Sequence, residues 1–570
     1  MSHQVGLLLA VAAVGAMLVS GRWRRPRATG PPRRAGDGPP QRAGPPVAPR
    51  GGVVRSLFEP AFAPRGLDGA RWARHSDLAA LRCAGSPRGR LVLGEEVGRA
   101  VAGRRTLSAE PAQSVAVIGP TQSGKTTAVA VPAILGWEGP VLAASVKTDL
   151  VRDTIEWRRR CGTVWCFDPA GTTGLPRARW SPVSAARTWA LARRVASDLT
   201  DVARGDATSA DGEFWYATAA KLLGPLLFAA AVSGRAMHDV VRWVDTQETE
   251  EVLDILHAAG VPEALQAARA TWLRDGRQRS AVYTTAETVL EPFAEPEMTC
   301  EPGGSEDTPP YGTPRISTGC PEADADASVH GPEIEAGALL RGRHTLYVCA
   351  PAHDQQRLRA VFAALVGQVV RTAFAAASRT GSPLDPPLLV VLDEAANIAP
   401  LRELDGLAAT CAGHGVQLVT VWQDLAQVRA RYGERAATVV NNHRAKLFLP
   451  GIADPGTLDF ASHLAGDQEL ATPSITRGVR GERSVTTSPQ VRRLLSPDTL
   501  RRLPKGSAVL LYGALPPVRV RLRPWFSDPD LAGLGGRTVG EGAPTSGAFG
   551  GPGRLLWHRR RRKAALQSRP

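Results

Sequence analysis

Val117 to Thr127 reads VIGPTQSGKTT. An apolar run passes straight into a glycine loop, and the loop ends in Lys125-Thr126-Thr127. From Gly119 to Thr126 every fixed position of G-x-x-x-x-G-K-[ST] is filled. Glycines let such a loop curl so that its backbone N–H groups converge on phosphate oxygens. The stretch Gly119, Pro120, Thr121, Gln122, Ser123, Gly124, Lys125, Thr126 and Thr127 is therefore expected to cradle a nucleotide. Lys125 is expected on the β- and γ-phosphates, and the Thr126 hydroxyl on Mg²⁺. A β-type run precedes the loop and the helix-compatible TTAVAV follows, which is the context a phosphate loop requires.

A loop of this kind needs an acidic partner at the end of a buried strand. LLVVLDEAANIAP (388–400) supplies it. Asp393 is expected to hold Mg²⁺ through water, and Glu394 to polarise an attacking water. A chain that only sensed ATP would not need Glu394, so the pair points to hydrolysis. A third run, QLVTVWQD (417–424), ends in Gln423, placed to touch the γ-phosphate from the strand beside the acidic one. The expected ligands are ATP and Mg²⁺. The expected catalytic set is Lys125, Glu394 and Gln423, with Thr126 and Asp393 at the metal.

Further apolar runs lie at 114–119, 140–145, 163–168, 345–350, 446–449 and 508–513. Most are continuous rather than alternating, the pattern of strands buried on both faces of a helix-covered parallel sheet. The predicted fold is α/β, a P-loop nucleotide-binding domain in two parts (60–185 and 336–527), which the resemblance given below makes RecA-like. Between them, FWYATAAKLLGPLLFAAAV and its neighbours have helical spacing and few breakers. They predict an all-helical insertion over 186–290. Residues 291–335 are rich in acids, Pro and Gly and read as a disordered acidic loop, either a solvated insertion or a guard that mimics DNA.

The ends differ from the middle. Val5 to Val19 is an uncharged apolar run, short for a span of roughly 17–25 residues, with Arg22, Arg24, Arg25 and Arg27 directly behind it. No positive charge precedes it, unlike a secretory leader. Residues 1–21 are read as a single transmembrane anchor with the remainder of the chain in the cytoplasm. Residues 22–59 read as a disordered basic Pro/Arg linker, and 528–570, with HRRRRK at 558–563, as a disordered basic tail.

The 570-residue chain carries a net charge of +15 and a pI of about 10.1, which favours an anionic partner, nucleic acid or a membrane surface. Arginine dominates that charge: only six residues are lysine, among them Lys125. The seven cysteines are scattered, and no histidine neighbours the close pair Cys161 and Cys166 at zinc-ligand spacing. No His-x-His cluster suggests a metal-dependent nuclease.

Taken in order, the motifs resemble the conjugative coupling proteins of type IV secretion systems, the TraG/TraD-like branch of the RecA/FtsK-type motors. The segments that carry the resemblance include GPTQSGKTT, FDPAG (167–171), FWYATAAKLL (214–223), LDEAANIAPL (392–401), VWQDLAQVRARYG (421–433), NNHRAKLFL (441–449) and LLSPDTLRRLPKG (494–506). The resemblance implies a membrane-anchored homohexameric ATPase. Its substrate would be relaxase-bound single-stranded DNA, or a secreted protein, driven into a type IV secretion channel. The helical insertion then matches the family's cytoplasmic all-alpha domain. Two departures stand out. One span is visible where the family usually has two. In addition, Ala412-Gly413-His414 stands where many relatives carry an arginine. Arg444 either reaches a neighbouring subunit's nucleotide or pairs with a carboxylate of its own chain. An FtsK-like double-stranded DNA pump and a non-motor ATP-dependent receptor remain alternatives. The pump usually carries a C-terminal winged helix, and here that end is low-complexity.

Overall fold

The computed structural model describes residues 69–83, 89–97, 105–204, 210–294, 330–350, 354–398, 401–477 and 483–535. The expected anchor (1–21) and linker (22–59) lie outside the described residues. So do 295–329 of the acidic loop and 536–570 of the tail.

Sixteen strands are described: β1 Arg82–Cys83, β2 Val92–Glu96, β3 Thr106–Ser108, β4 Val115–Ile118, β5 Val141–Ser145, β6 Val164–Phe167, β7 Arg177–Arg179, β8 His330–Glu333, β9 Thr345–Cys349, β10 Leu388–Leu392, β11 Val416–Trp422, β12 Ala445–Phe448, β13 Asp467–Arg477, β14 Arg483–Arg493, β15 Ser507–Tyr512 and β16 Val518–Arg521. Twelve form one sheet in the order β1-β3-β2-β16-β15-β12-β4-β11-β10-β5-β9-β6. From β12 to β6 every pairing is parallel, and from β15 to β1 every pairing is antiparallel. Registers Phe448↔Ile118, Ile118↔Trp422, Leu392↔Thr420 and Leu392↔Ala144 bring the C-terminal ends of five parallel strands to one edge. In open parallel sheets, ligands bind at that edge.

The central strands are wholly buried because both faces are covered: VAVI, VLAAS, LLVVL and VQLVTVW contain no exposed residue. Val115, Val117, Val141, Ala143, Leu389 and Val391 point to one core. That core is shared with helix α1 (Thr126–Leu135) and helix α2 (Asp149–Cys161). Ala116, Ile118, Leu142, Ala144, Val390 and Leu392 point to the other. There the cover is six helices, α3 Trp189–Ala203, α4 Ala210–Ser233, α5 Met237–Asp245, α6 Glu250–Ala258, α7 Pro262–Trp272 and α8 Gly276–Leu290, with α9 Gln355–Thr380. Between β7 and β8, then, the described chain folds into helices. Their core is continuous with the sheet's rather than closed on itself. Arg371 of α9 pairs with Asp198 of α3 at 2.7 Å. Segments 212–233 and 357–380 are long and apolar enough to cross a membrane, and both pack within this core.

Ordered structure reaches past both limits expected for the acidic loop. Glu291–Phe293 forms a 3-10 turn, and β8 pairs in parallel with β7. At the tail, the buried Asp528 carboxylate pairs with Arg523 and caps the short helix Pro529–Ala532. The β13–β14 hairpin forms a sheet of its own.

Candidate nucleotide site

Strand β4 delivers the glycine loop to the sheet edge. The Gly119 N–H donates to the Trp422 carbonyl at 3.1 Å, which ties the loop to the end of β11. A Cβ at Gly119 would stand 2.8 Å from both Leu449 Cβ and Ser123 Oγ, so only glycine fits. Gln122 (φ 63°) and Gly124 (φ 96°) take left-handed conformations that curl the loop before Lys125 leads into α1. Thr121 and Gln122 are exposed, Thr127 half-buried. The Lys125 side chain is buried, its Nζ donating to the Gly119 and Pro120 carbonyls at 2.5 and 2.7 Å. Burial pulls its pKa below the ordinary lysine value, opposed by the charges of Asp393 and Glu394. Among the described residues its acceptors are carbonyls of the loop itself, groups that a phosphate oxygen can replace.

Asp393 follows β10 and donates its N–H to the Ala144 carbonyl at 2.9 Å. Its Oδ2 accepts from Thr126 Oγ1 at 3.2 Å and Ser145 Oγ at 3.3 Å. The carboxyl is buried, and burial pushes its pKa up to about 6, with Asp149 and Glu394 adding to the rise. A buried carboxylate surrounded by other acids and touching a threonine hydroxyl is a place where a divalent cation relieves repulsion. Thr126 and Asp393 thus fit the two protein contacts of a nucleotide-borne Mg²⁺, an ion that keeps several waters and binds few carboxylates. Among the described residues no group of three or more His, Cys, Asp or Glu forms a metal cage.

Glu394 sits at φ 60°, the left-handed region that non-glycine residues seldom occupy. Its carbonyl accepts from Asn397 N at 2.8 Å and Ile398 N at 3.2 Å, which holds the turn. Its Oε2 accepts from Asn397 Nδ2 at 3.3 Å, and its Oε1 lies 3.5 Å from Lys147 Nζ. Gln423 follows β11, which lies between β4 and β10. Its N–H donates to Gln427 Oε1 at 3.0 Å, fixing the turn into helix Leu425–Tyr432. The structure therefore brings Lys125, Thr126, Asp393, Glu394 and Gln423 to one edge.

Arg444 is elsewhere. It precedes β12, whose start pairs Ala445 with Val115 and whose end pairs Phe448 with Ile118. The residue is thus at the opposite edge from its own phosphate loop, about 10 Å or more away along the strand. Its Nε donates to Glu110 Oε2 at 3.0 Å, and its guanidinium lies over the Tyr512 ring at 5.4 Å. Of the two expectations for Arg444, this is the intrachain carboxylate pair.

Sequence reasoning missed Ser145, Lys147 and Asp149. The signal was present: the apolar run 140–145 ends in Ser-Val-Lys-Thr-Asp, polar groups at the tip of the strand beside β10.

Two family profiles match the chain. "Type IV secretory system Conjugative DNA transfer" covers residues 71–300, and "TraM recognition site of TraD and TraG" covers 387–505. This chain belongs to the type IV coupling-protein family. Curated relatives agree. It is 23% identical over 424 residues to the conjugal transfer protein TraG of Rhizobium radiobacter, spanning 72% of this chain and 61% of that protein. It is 24% identical over 451 residues to a TraG of Escherichia coli (73% and 68%) and 23% identical over 429 to VirD4 of Rhizobium rhizogenes (73% and 59%). The chain thus spans about three fifths of the first of these relatives. Among solved structures, the bacterial conjugative coupling protein TrwBdeltaN70 superposes with a TM-score of 0.56 at 16% identity, covering 78% of this coupling protein and 95% of TrwBdeltaN70. The plasmid coupling protein TrwB in complex with ADP and Mg²⁺ gives 0.52 at 17% (77% and 96%). The fold is that of an α/β P-loop NTPase.

Proposed function

We propose that this coupling protein is an ATP-driven motor that passes a conjugation substrate to a type IV secretion channel. The observation that carries the reading is the joining of Thr126, Asp393 and Glu394 with Lys125 at the C-terminal edge of the parallel strands. The backbone from Gly119 to Thr127 cradles the phosphates, and Lys125 exchanges its loop carbonyls for β- and γ-phosphate oxygens. Thr126 and Asp393 would hold Mg²⁺, which would supply positive charge against the phosphates. Glu394 orients and deprotonates the attacking water, and Gln423 touches the terminal phosphate from β11. The structures of TrwB in complex with ADP and Mg²⁺ and with a non-hydrolysable ATP analogue support nucleotide binding on this fold.

The remaining parts follow the family reading. Residues 1–21 anchor the chain in the cell membrane with its ATPase in the cytoplasm. The parts 60–185 and 336–527 form the nucleotide-binding domain, and the helices of 186–290 receive substrate. Relaxase-bound single-stranded DNA or a secreted protein is the cargo, channel components are the docking partners, and a homohexamer is the working form. The net charge of +15 suits a polyanion.

Hydrolysis by the purified full chain, measured with and without single-stranded DNA across a salt series, tests this. Turnover should rise with DNA, and the effect should fade steeply with salt. ATP binding without turnover, with or without DNA, would leave a receptor instead of a motor.

A further inference from the structure

The role given to Glu394 requires a carboxylate free to face water. Both of its oxygens are engaged here, Oε2 by Asn397 and Oε1 by Lys147. The Lys147 contact arises from the sheet. Leu392 of β10 is in register with Ala144 of β5, so the residues just past each strand end meet across the edge. The Lys147 N–H donates to Ser145 Oγ at 3.1 Å, and that same hydroxyl donates to Asp393. The lysine's backbone is thereby held to the magnesium-site carboxylate while its side chain leans on Glu394.

The two partners differ in freedom. The Lys147 side chain is 52% exposed and that of Glu394 is 18% exposed. The lysine is the part that can move without leaving a cavity. It also lies close enough to Lys125 to disfavour that residue's protonation, so both ammonium groups border the same phosphate-binding space. The residue type matters. This chain uses arginine for nearly all its positive charge, and Lys147 is one of only six lysines. A guanidinium would grip a carboxylate through two parallel hydrogen bonds. An ammonium is a compact point charge with rotatable donors, and it trades one oxyanion for another easily.

We propose that Lys147 is a latch on Glu394 that responds to the terminal phosphate: its ammonium holds the carboxylate in the nucleotide-free site and transfers to the γ-phosphate of a bound triphosphate, releasing Glu394 toward water. A diphosphate offers no oxygen at that position, so the latch stays closed with ADP. Lys147 is a positioning residue for Glu394 and a reader of the third phosphate. The idea rests on the phosphate-loop reading above.

The test uses the full chain with Mg²⁺ and two probes, ADP and a non-hydrolysable ATP analogue, titrated against wild type, Lys147→Gln, Glu394→Gln and the double variant. Lys147→Gln should leave ADP affinity within about twofold and weaken the analogue about tenfold, the worth of one hydrogen bond to a charged group. Glu394→Gln should tighten the analogue several-fold where Lys147 is present, because the ammonium no longer has to leave a carboxylate. In the Lys147→Gln background that gain should shrink to less than about twofold, the non-additivity of a coupled pair. An unchanged ratio of analogue to ADP affinity in Lys147→Gln, with only a lower thermal midpoint, makes the contact a structural ion pair and overturns the latch. Equal gains from Glu394→Gln in both backgrounds also overturn it. Lys125→Ala separates the layers: if that variant binds ADP normally, the phosphate-loop reading itself has failed.

Discussion

Two buried cations mark the two edges of the parallel sheet, and their surroundings are opposite. Arg158 of α2 is fully buried near the N-terminal ends of β5 and β9. Its Nε donates to Thr345 Oγ1 at 2.6 Å. Its terminal nitrogens donate to the carbonyls of Trp137 (2.8 Å), Gly139 (2.9 Å), Arg343 (3.0 Å) and His344 (3.3 Å). No carboxylate is among these partners. Lys125 at the other edge is nearly as buried, but it has two carbonyls of its own loop and two acids at a distance. Both sites depress the cation's pKa by desolvation. The difference lies in what satisfies the charge. Arg158 has fixed acceptors and ties together the segments that lead into two strands. Lys125 has provisional ones, which a ligand can replace. Burial of a charge thus serves structure at one edge and binding at the other.

The largest expected effect is at the structural cation. Arg158→Ala removes five hydrogen bonds and leaves several buried carbonyls without donors, so stability should fall by about 4 kcal/mol or more. Urea denaturation of the full chain reads this, and a loss under about 1 kcal/mol would break the contrast. Lys125→Ala should do the reverse. Nucleotide affinity should drop by about a hundredfold or more, while stability changes by less than about 1 kcal/mol, since relief of the desolvated charge offsets the loss of its two loop hydrogen bonds.

A third buried base sharpens the same point through pH. His443 is fully buried before β12, its Nδ1 donating to the Val439 carbonyl at 2.7 Å and its Nε2 accepting from Thr420 at 3.0 Å. Burial lowers its pKa from 6.5 to about 4. The folded state therefore resists a proton that the unfolded chain accepts. The contribution is intact above pH 6.5 and is lost as pH falls from 6.5 to about 4, by about 3 kcal/mol in total. His443→Gln should flatten that part of the stability profile, and an unchanged slope would contradict the buried neutral ring. The smallest effect belongs to Arg444→Ala. Its ion pair with Glu110 is about half exposed, so at most about 1 kcal/mol should be lost, with turnover per subunit unchanged. A collapse of turnover would instead place Arg444 at a neighbour's nucleotide.

The residues legible in advance share one cause. Strands of the parallel half are covered on both faces, so β4, β5, β9, β10 and β11 appear as nearly unbroken apolar runs, β4 with a glycine loop and β10 with an acid at its tip. The antiparallel half was read only at β15. Its other strands are short or alternate, as in Val518–Arg521 with every second residue exposed, and they carry no such signature. The β13–β14 hairpin escaped notice because its polar sequence offers no apolar run. Within the site, Lys125 and Thr126 were legible because one short motif carries both, and Asp393 because it ends an apolar run of its own. Lys147 was not, because its meeting with Glu394 depends on strands β5 and β10 being neighbours, which only the sheet order reveals.

The central claim is that this edge hydrolyses ATP through Glu394. Steady-state phosphate release by the full chain with Mg²⁺, ATP and single-stranded DNA, compared between wild type and Glu394→Gln, addresses it directly. The account predicts that the variant still binds ATP and loses about a hundredfold or more of turnover, the usual worth of a positioned general base. Turnover equal to wild type in a variant that binds ATP normally would contradict it.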